Sequence, residues 1–232
     1  MIFRKFISIL AVLMIISGAL LFADDRTETT AEEDYLSTYN NIVIKNYACK
    51  DDYDSKLFAL QKIEEVLDGN SSGKRDLTEV KEVLTELAGE GILVQARTSG
   101  HLDNNFPDVR AKACELLGRI GSPESAEILE KVVLADVEPR VVSAAVKAMS
   151  NLEGAQYDSI VETIAWAEKK YSLLNPTSSL AYEILAAYEK ILPNLDNKSV
   201  LIESTVSIAT NYYYVTPVRE KARELLTIYA GN

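Results

Sequence analysis

The chain has 232 residues, with 35 Asp and Glu against 24 Lys and Arg, and a net charge of −11. Hydrophobic residues make up 47%, with 10 Gly, 6 Pro and 2 Cys, a globular composition that excludes collagen, a disulfide-built scaffold and a mainly disordered chain. The acidic balance argues against a general nucleic-acid binder, which needs a basic stripe, and a single His with no paired-Cys motif leaves little for a zinc site or His-centred catalysis.

Arg4 and Lys5 precede an uncharged apolar run from Phe6 to Ala23, and Asp24, Asp25 and Arg26 follow at once. A short basic region, an apolar core and a small residue before a polar start are the layout of a secretory signal. Residues 1–23 are therefore read as a signal peptide cleaved after Ala23, although Leu21 is larger than such a site prefers. The alternative is an uncleaved anchor, for which the run is at the short end of a bilayer span. Both readings export the body, to the periplasm or cell envelope, and membrane contact is expected only with the anchor. Residues 1–23 carry Arg4 and Lys5 and no acid, so their loss takes the net charge from −11 to −13. Residues 24–33 (DDRTETTAEE) read as a flexible acidic lead-in, and 34–232 as one domain.

From Tyr35 onward the apolar residues recur at helical spacing, which predicts helices over 34–47, 54–68, 76–90, 107–120, 123–135, 139–152, 156–172, 177–192, 196–211 and 216–230. No stretch alternates like a strand for more than a few residues. The segments Ile42–Ile44 and Tyr213–Val215 are β-prone but too short to build a sheet. The expected fold is all-α. NSSGKRD and ARTSGHLDNN are the main loop-like breaks. Acidic Asp51–Ser55 is placed to cap the helix after it; it lacks the Gly-centred spacing of a calcium loop.

The segment Pro107–Gly121 puts Val109, Ala113, Leu116, Leu117 and Ile120 on one helical face, with Pro107 suited to the first turn and Gly121 to the stop. Ser122 and Pro123 suit an N-cap and a first helical position for the next helix. The pattern restarts at Pro139. Pro107 aligns with Pro139, Val109 with Val141, Ala113 with Ala145, Leu117 with Met149 and Ile120 with Leu152, each pair 32 residues apart. Ile128, Leu129 and Val132 align with Ile160, Val161 and Ile164 at the same spacing. A fixed period in this range means stacked helix pairs, an α-solenoid.

The motif P-x-V-R-x-x-A-x-x-L-L-G-x-I-G, carried by Pro107, Val109, Arg110, Ala113, Leu117 and Gly118 and followed by S-P-E, resembles a HEAT repeat of the short form named after phycobilisome lyases. The second copy departs from it, with Val142 at the Arg position and Ser150 at the Gly position. Thr216–Leu226 is a partial copy through Val218, Arg219, Ala222, Leu225 and Leu226, and looser copies lie at 54–67 and 178–192. The resemblance implies a HEAT-like superhelix of about four to five antiparallel helix pairs. It implies structural roles for Pro107, Arg110, Pro139 and Arg219, the two arginines pairing with neighbouring acids that the sequence does not identify.

On such a scaffold the working surface is expected on the face lined by the second helices. Trp166 lies roughly 240° from Ile160 by the helical period, away from the apolar stripe of Ile160, Val161, Ile164 and Ala165. It is a candidate partner anchor, with Leu134 one period earlier and Val206 at a similar phase. The competing reading makes this recurrent position a contact between repeats. Tyr212, Tyr213 and Tyr214 cannot all point inward from a turn, so at least one is a candidate anchor; the competing reading has them seal the end of the stack. Cys49 and Cys114 could pair in an oxidising compartment, against a buried free thiol at Cys114. His101 beside Asp103 is too little for a metal site.

No phosphate loop, nucleophile elbow or HExxH motif occurs. The expected function is an exported, non-catalytic protein-interaction scaffold that binds a protein or peptide, with no cofactor, metal or nucleic acid. The alternatives are an envelope assembly or structural factor and a HEAT-like enzyme using carboxylates such as Glu162 or Glu183.

Overall fold

A computed structural model describes residues 31–69 and 76–231. The expected signal peptide and most of the lead-in lie outside the described residues, as does most of the NSSGKRD break. The chain divides into two units, residues 1–36 and 37–232, and the stacked helices belong to the second.

Ten α-helices are described, one at each predicted position: α1 (Ala31–Ala48), α2 (Tyr53–Gly69), α3 (Thr78–Gly89), α4 (Pro107–Ile120), α5 (Ala126–Ala135), α6 (Pro139–Met149), α7 (Tyr157–Leu174), α8 (Ser178–Ile191), α9 (Ser199–Thr210) and α10 (Thr216–Gly231). They form two layers. Even-numbered α2, α4, α6, α8 and α10 each pack on the next, and odd-numbered α3, α5, α7 and α9 do the same beside them. Because neighbours in sequence sit in opposite layers, each pair buries one apolar stripe against its partner and another against the next pair. The fold is an all-α solenoid.

The repeat motif shows its physical content at the α4–α6 contact. A Cβ on Gly118 would lie 2.6 Å from the Ala148 Cα and 2.8 Å from its Cβ, so glycine lets the two helix backbones meet. Gly121 ends α4 in the left-handed region at φ 70°, donating its N–H to the Leu117 carbonyl. Pro107 and Pro139 occupy first helical positions, where the missing N–H has no helical partner to lose. At the start of α2, Asp52 accepts a hydrogen bond from the Ser55 N–H at 2.8 Å, and this holds its carboxyl below the usual range.

The structure differs from the sequence reading in two local details. Pro123–Ser125 is a 3-10 turn before α5, and the Ser122 hydroxyl pairs with Glu124 instead of capping the helix. The ARTSGHLDNN break holds a small antiparallel hairpin, Arg97–Thr98 against His101–Leu102. It turns through Ser99 and Gly100, both at positive φ. Two-residue strands bury no apolar face, so they leave no alternating pattern to read.

Candidate functional site

Arg110 is 1% exposed and finds its acid across the repeat link. Its Nε donates to Asp136 Oδ2 at 2.7 Å, and Nη1 donates to Asn105 Oδ1 at 2.9 Å and to the Glu90 carbonyl at 3.3 Å. Asp136 Oδ1 accepts the N–H groups of Val137 and Glu138, ahead of α6. The Asp136 carbonyl accepts from Tyr171 Oη at 2.9 Å and Lys170 Nζ at 3.1 Å, both on α7. One buried pair thus ties the α3–α4 link, α4, the α5–α6 link and α7 together. A buried ion pair is tolerable only when its spare lone pairs and protons are satisfied, and these are.

Arg219 corrects the same expectation on α10. Among the described residues it meets no carboxylate. Its guanidinium lies over the Tyr212 ring at 5.4 Å, its Nη2 donates to Thr216 Oγ1, and its Nε is buried without a partner. Arg110 on α4 instead draws its acid from the link after α5.

The tyrosine run splits by direction. Tyr212 and Tyr213 are exposed, at 88% and 80%, while Tyr214 is 4% exposed and belongs to the core. Tyr214 is therefore removed as a partner-binding candidate: the turn after α9 directs it inward, as the competing end-sealing reading required of some of the run. Cys49 is exposed, Cys114 is buried, and both thiols are free. Burial pushes the Cys114 thiol up to about 12.

Leu134 on α5, Trp166 on α7 and Val206 on α9 are all partly open to solvent, at 44%, 43% and 43%. They occupy three successive odd-numbered helices. The contact reading would bury them, and this degree of exposure leaves apolar and aromatic surface available to a partner. Lys170 stands over the Trp166 ring at 5.0 Å while its Nζ donates to the Leu134 and Asp136 carbonyls, which places it on the α5 side.

On the other side, α7 and α9 enclose an open groove of about 330 Å³, lined by Trp166, Glu168, Lys169, Val200, Glu203 and Ser207 among others. Glu168 is its chemically unusual member. It is 3% exposed, and it accepts a hydrogen bond from Ser207 Oγ at 2.9 Å. Desolvation raises its carboxyl above the usual range, opposed by the Ser207 hydrogen bond. Its charge reaches the tyrosines behind it. Burial first and then Glu168 push Tyr214 up to about 12; burial also raises Tyr188, whose Oη donates to Ser204 Oγ, with Glu168 a smaller contribution.

The sequence reading passed over Glu168, although it falls one turn after Ile164 and two after Val161, inside the apolar stripe of α7. An acid within a core stripe was the available signal. It also passed over Val137, Leu173 and Leu174, which stand 72%, 79% and 75% exposed where odd-numbered helices end. These lie outside the periodic stripe, which does not report on helix ends. Glu162 is exposed on α7 and Glu183 half-buried on α8, and neither lines the Glu168 groove. Among the described residues no group of three His, Cys, Asp or Glu is placed to hold a metal ion, and no helix is long and apolar enough to cross a membrane.

Residues 94–171, from the hairpin into α7, match the family model for HEAT repeats. This segment carries HEAT repeats. The match covers the Arg110–Asp136 pair, the Gly118 contact and Trp166, and the two-layer packing continues beyond it through α8, α9 and α10. HEAT repeats point to a protein-interaction scaffold. No curated protein and no solved structure matches the chain.

Proposed function

We propose that this HEAT protein is an exported, non-catalytic scaffold that presents its odd-numbered helices to a protein or peptide partner. The observation that carries the reading is the row of Leu134, Trp166 and Val206, exposed at one phase on successive helices beside an open groove. A repeat stack gains nothing in stability from leaving a tryptophan half in water, and aromatic side chains in such positions are where binding energy concentrates. Export is supported by the layout of residues 1–23, a basic start, an apolar core and a polar exit.

Affinity capture from the envelope fraction tests the binding face, with a Leu134→Ser, Trp166→Ala double variant beside the native chain. A protein held by the native chain and lost from the folded variant supports it; equal capture by both moves the site elsewhere. Cell fractionation followed by N-terminal sequencing tests export. A chain beginning at Asp24 in the exported fraction supports it, and a chain retained in the cytoplasm overturns it.

A further inference from the structure

Glu168 is a buried acid in a repeat copy that has valine at the register of Arg110. Asp136 and Glu168 are 32 residues apart, the period that also relates Leu134 to Trp166 and Arg110 to Val142. The first copy holds both members of the Arg110–Asp136 pair. The second keeps an acid at the corresponding register and has Val142, buried and apolar, at the register of the guanidinium. The settings differ, since Asp136 lies in the link after α5 and Glu168 within α7. What the two acids share is burial, and only Asp136 has a counter-ion: among the described residues no cation pairs with Glu168. Its partner is the Ser207 hydroxyl, which leaves carboxylate capacity facing the groove. A buried carboxylate without a cation is costly and would be relieved by a methylene or an amide, so its position in an open groove calls for an external partner.

The groove has the other parts of a cation receptor. Trp166 and Val200 supply apolar wall, and Glu203 adds a second, exposed carboxylate. The groove's own cation, Lys169, is exposed to solvent, and Lys170 is held on the α5 side by the Leu134 and Asp136 carbonyls. A net charge of −11 favours approach of a basic surface.

We propose that the α7–α9 groove takes a lysine or arginine side chain from the protein partner, pairing the cationic head with Glu168 and laying its stem along Trp166 and Val200. The inference rests on the scaffold reading and names the chemistry of its contact.

Trp166 is the only tryptophan in the chain, so intrinsic fluorescence reports from the groove. The full chain is titrated with acetyl-Gly-Arg-Gly-amide and acetyl-Gly-Lys-Gly-amide. The controls are acetyl-Gly-citrulline-Gly-amide and the acetyl-lysine peptide, which keep the shape and remove the charge. A saturable change with a basic peptide, at least tenfold weaker with its neutral counterpart and in Glu168→Gln, supports the proposal. No change with either basic peptide, an equal response to the neutral ones, or an unaltered response in folded Glu168→Gln overturns it. Should that variant not fold, the charged-against-neutral comparison on the native chain decides. Failure here with Trp166-dependent capture intact removes the basic side chain and leaves the scaffold. A charge-specific response without capture does the reverse.

Discussion

The Arg110 guanidinium and the Asp136 carboxylate meet at 2.7 Å with both side chains sealed from water. This pair is the joint of the matched repeats, because the groups around it reach the α3–α4 link, the turn ahead of α6 and α7. Asp136→Ala leaves Arg110 buried and unpaired, and the expected cost is about 3–5 kcal/mol. Replacing both partners with apolar residues, as in Arg110→Met with Asp136→Leu, costs much less. Urea unfolding measures both, and added salt changes neither result because the pair is buried.

The close approach of Gly118 to Ala148 predicts a steric effect independent of charge. Gly118→Ala forces the α4 and α6 backbones apart and destabilises by roughly 1–3 kcal/mol. Ala148→Gly restores only part of this, because the Ala148 Cα is the nearer obstacle, at 2.6 Å. The double variant should unfold at an intermediate urea concentration.

Glu168 predicts a pH dependence with a definite sign. Its carboxyl is raised in the folded chain relative to the ordinary value of 4.5, so the folded state holds the proton more tightly than the unfolded state. The stabilisation this gives is present below the ordinary value and is lost as pH rises through the raised one. Above the raised value the charged acid bears the burial cost. Glu168→Gln therefore raises the melting temperature on the alkaline side of that value, by about 2–4 °C for each kcal/mol recovered. That advantage shrinks as the pH falls through the raised value toward 4.5. A melting-temperature series from pH 7 to pH 4 on both chains measures it.

The tyrosine run predicts a contrast between neighbours. Tyr214→Ala opens a core cavity, and the expected loss is about 3–5 kcal/mol. Tyr212→Ala and Tyr213→Ala change stability by no more than about 0.5 kcal/mol. Thermal unfolding of the three single variants separates the buried ring from the exposed ones.

The cysteines predict a twofold chemistry. Exposed Cys49 reacts with a thiol reagent in the native chain, whereas buried Cys114, with its thiol at about 12, waits for unfolding. One equivalent should react under native conditions and two in urea.

The ten described helices, their order and the starts of the repeats were legible in the sequence, since 3.6-residue spacing, Pro at helix starts and a 32-residue period are local properties of the chain. The same spacing placed Trp166 off the core stripe of its helix. Which acid meets Arg110 was not legible, because Asp136 is 26 residues away and reaches it only when the α5–α6 link folds over α4. Nor was the inward turn of Tyr214 among three identical neighbours, nor the isolation of Glu168 between α7 and α9. Pattern assigns each residue a face on its own helix. The charge or ring that comes to stand opposite depends on how distant helices pack, and only the tertiary structure decided that.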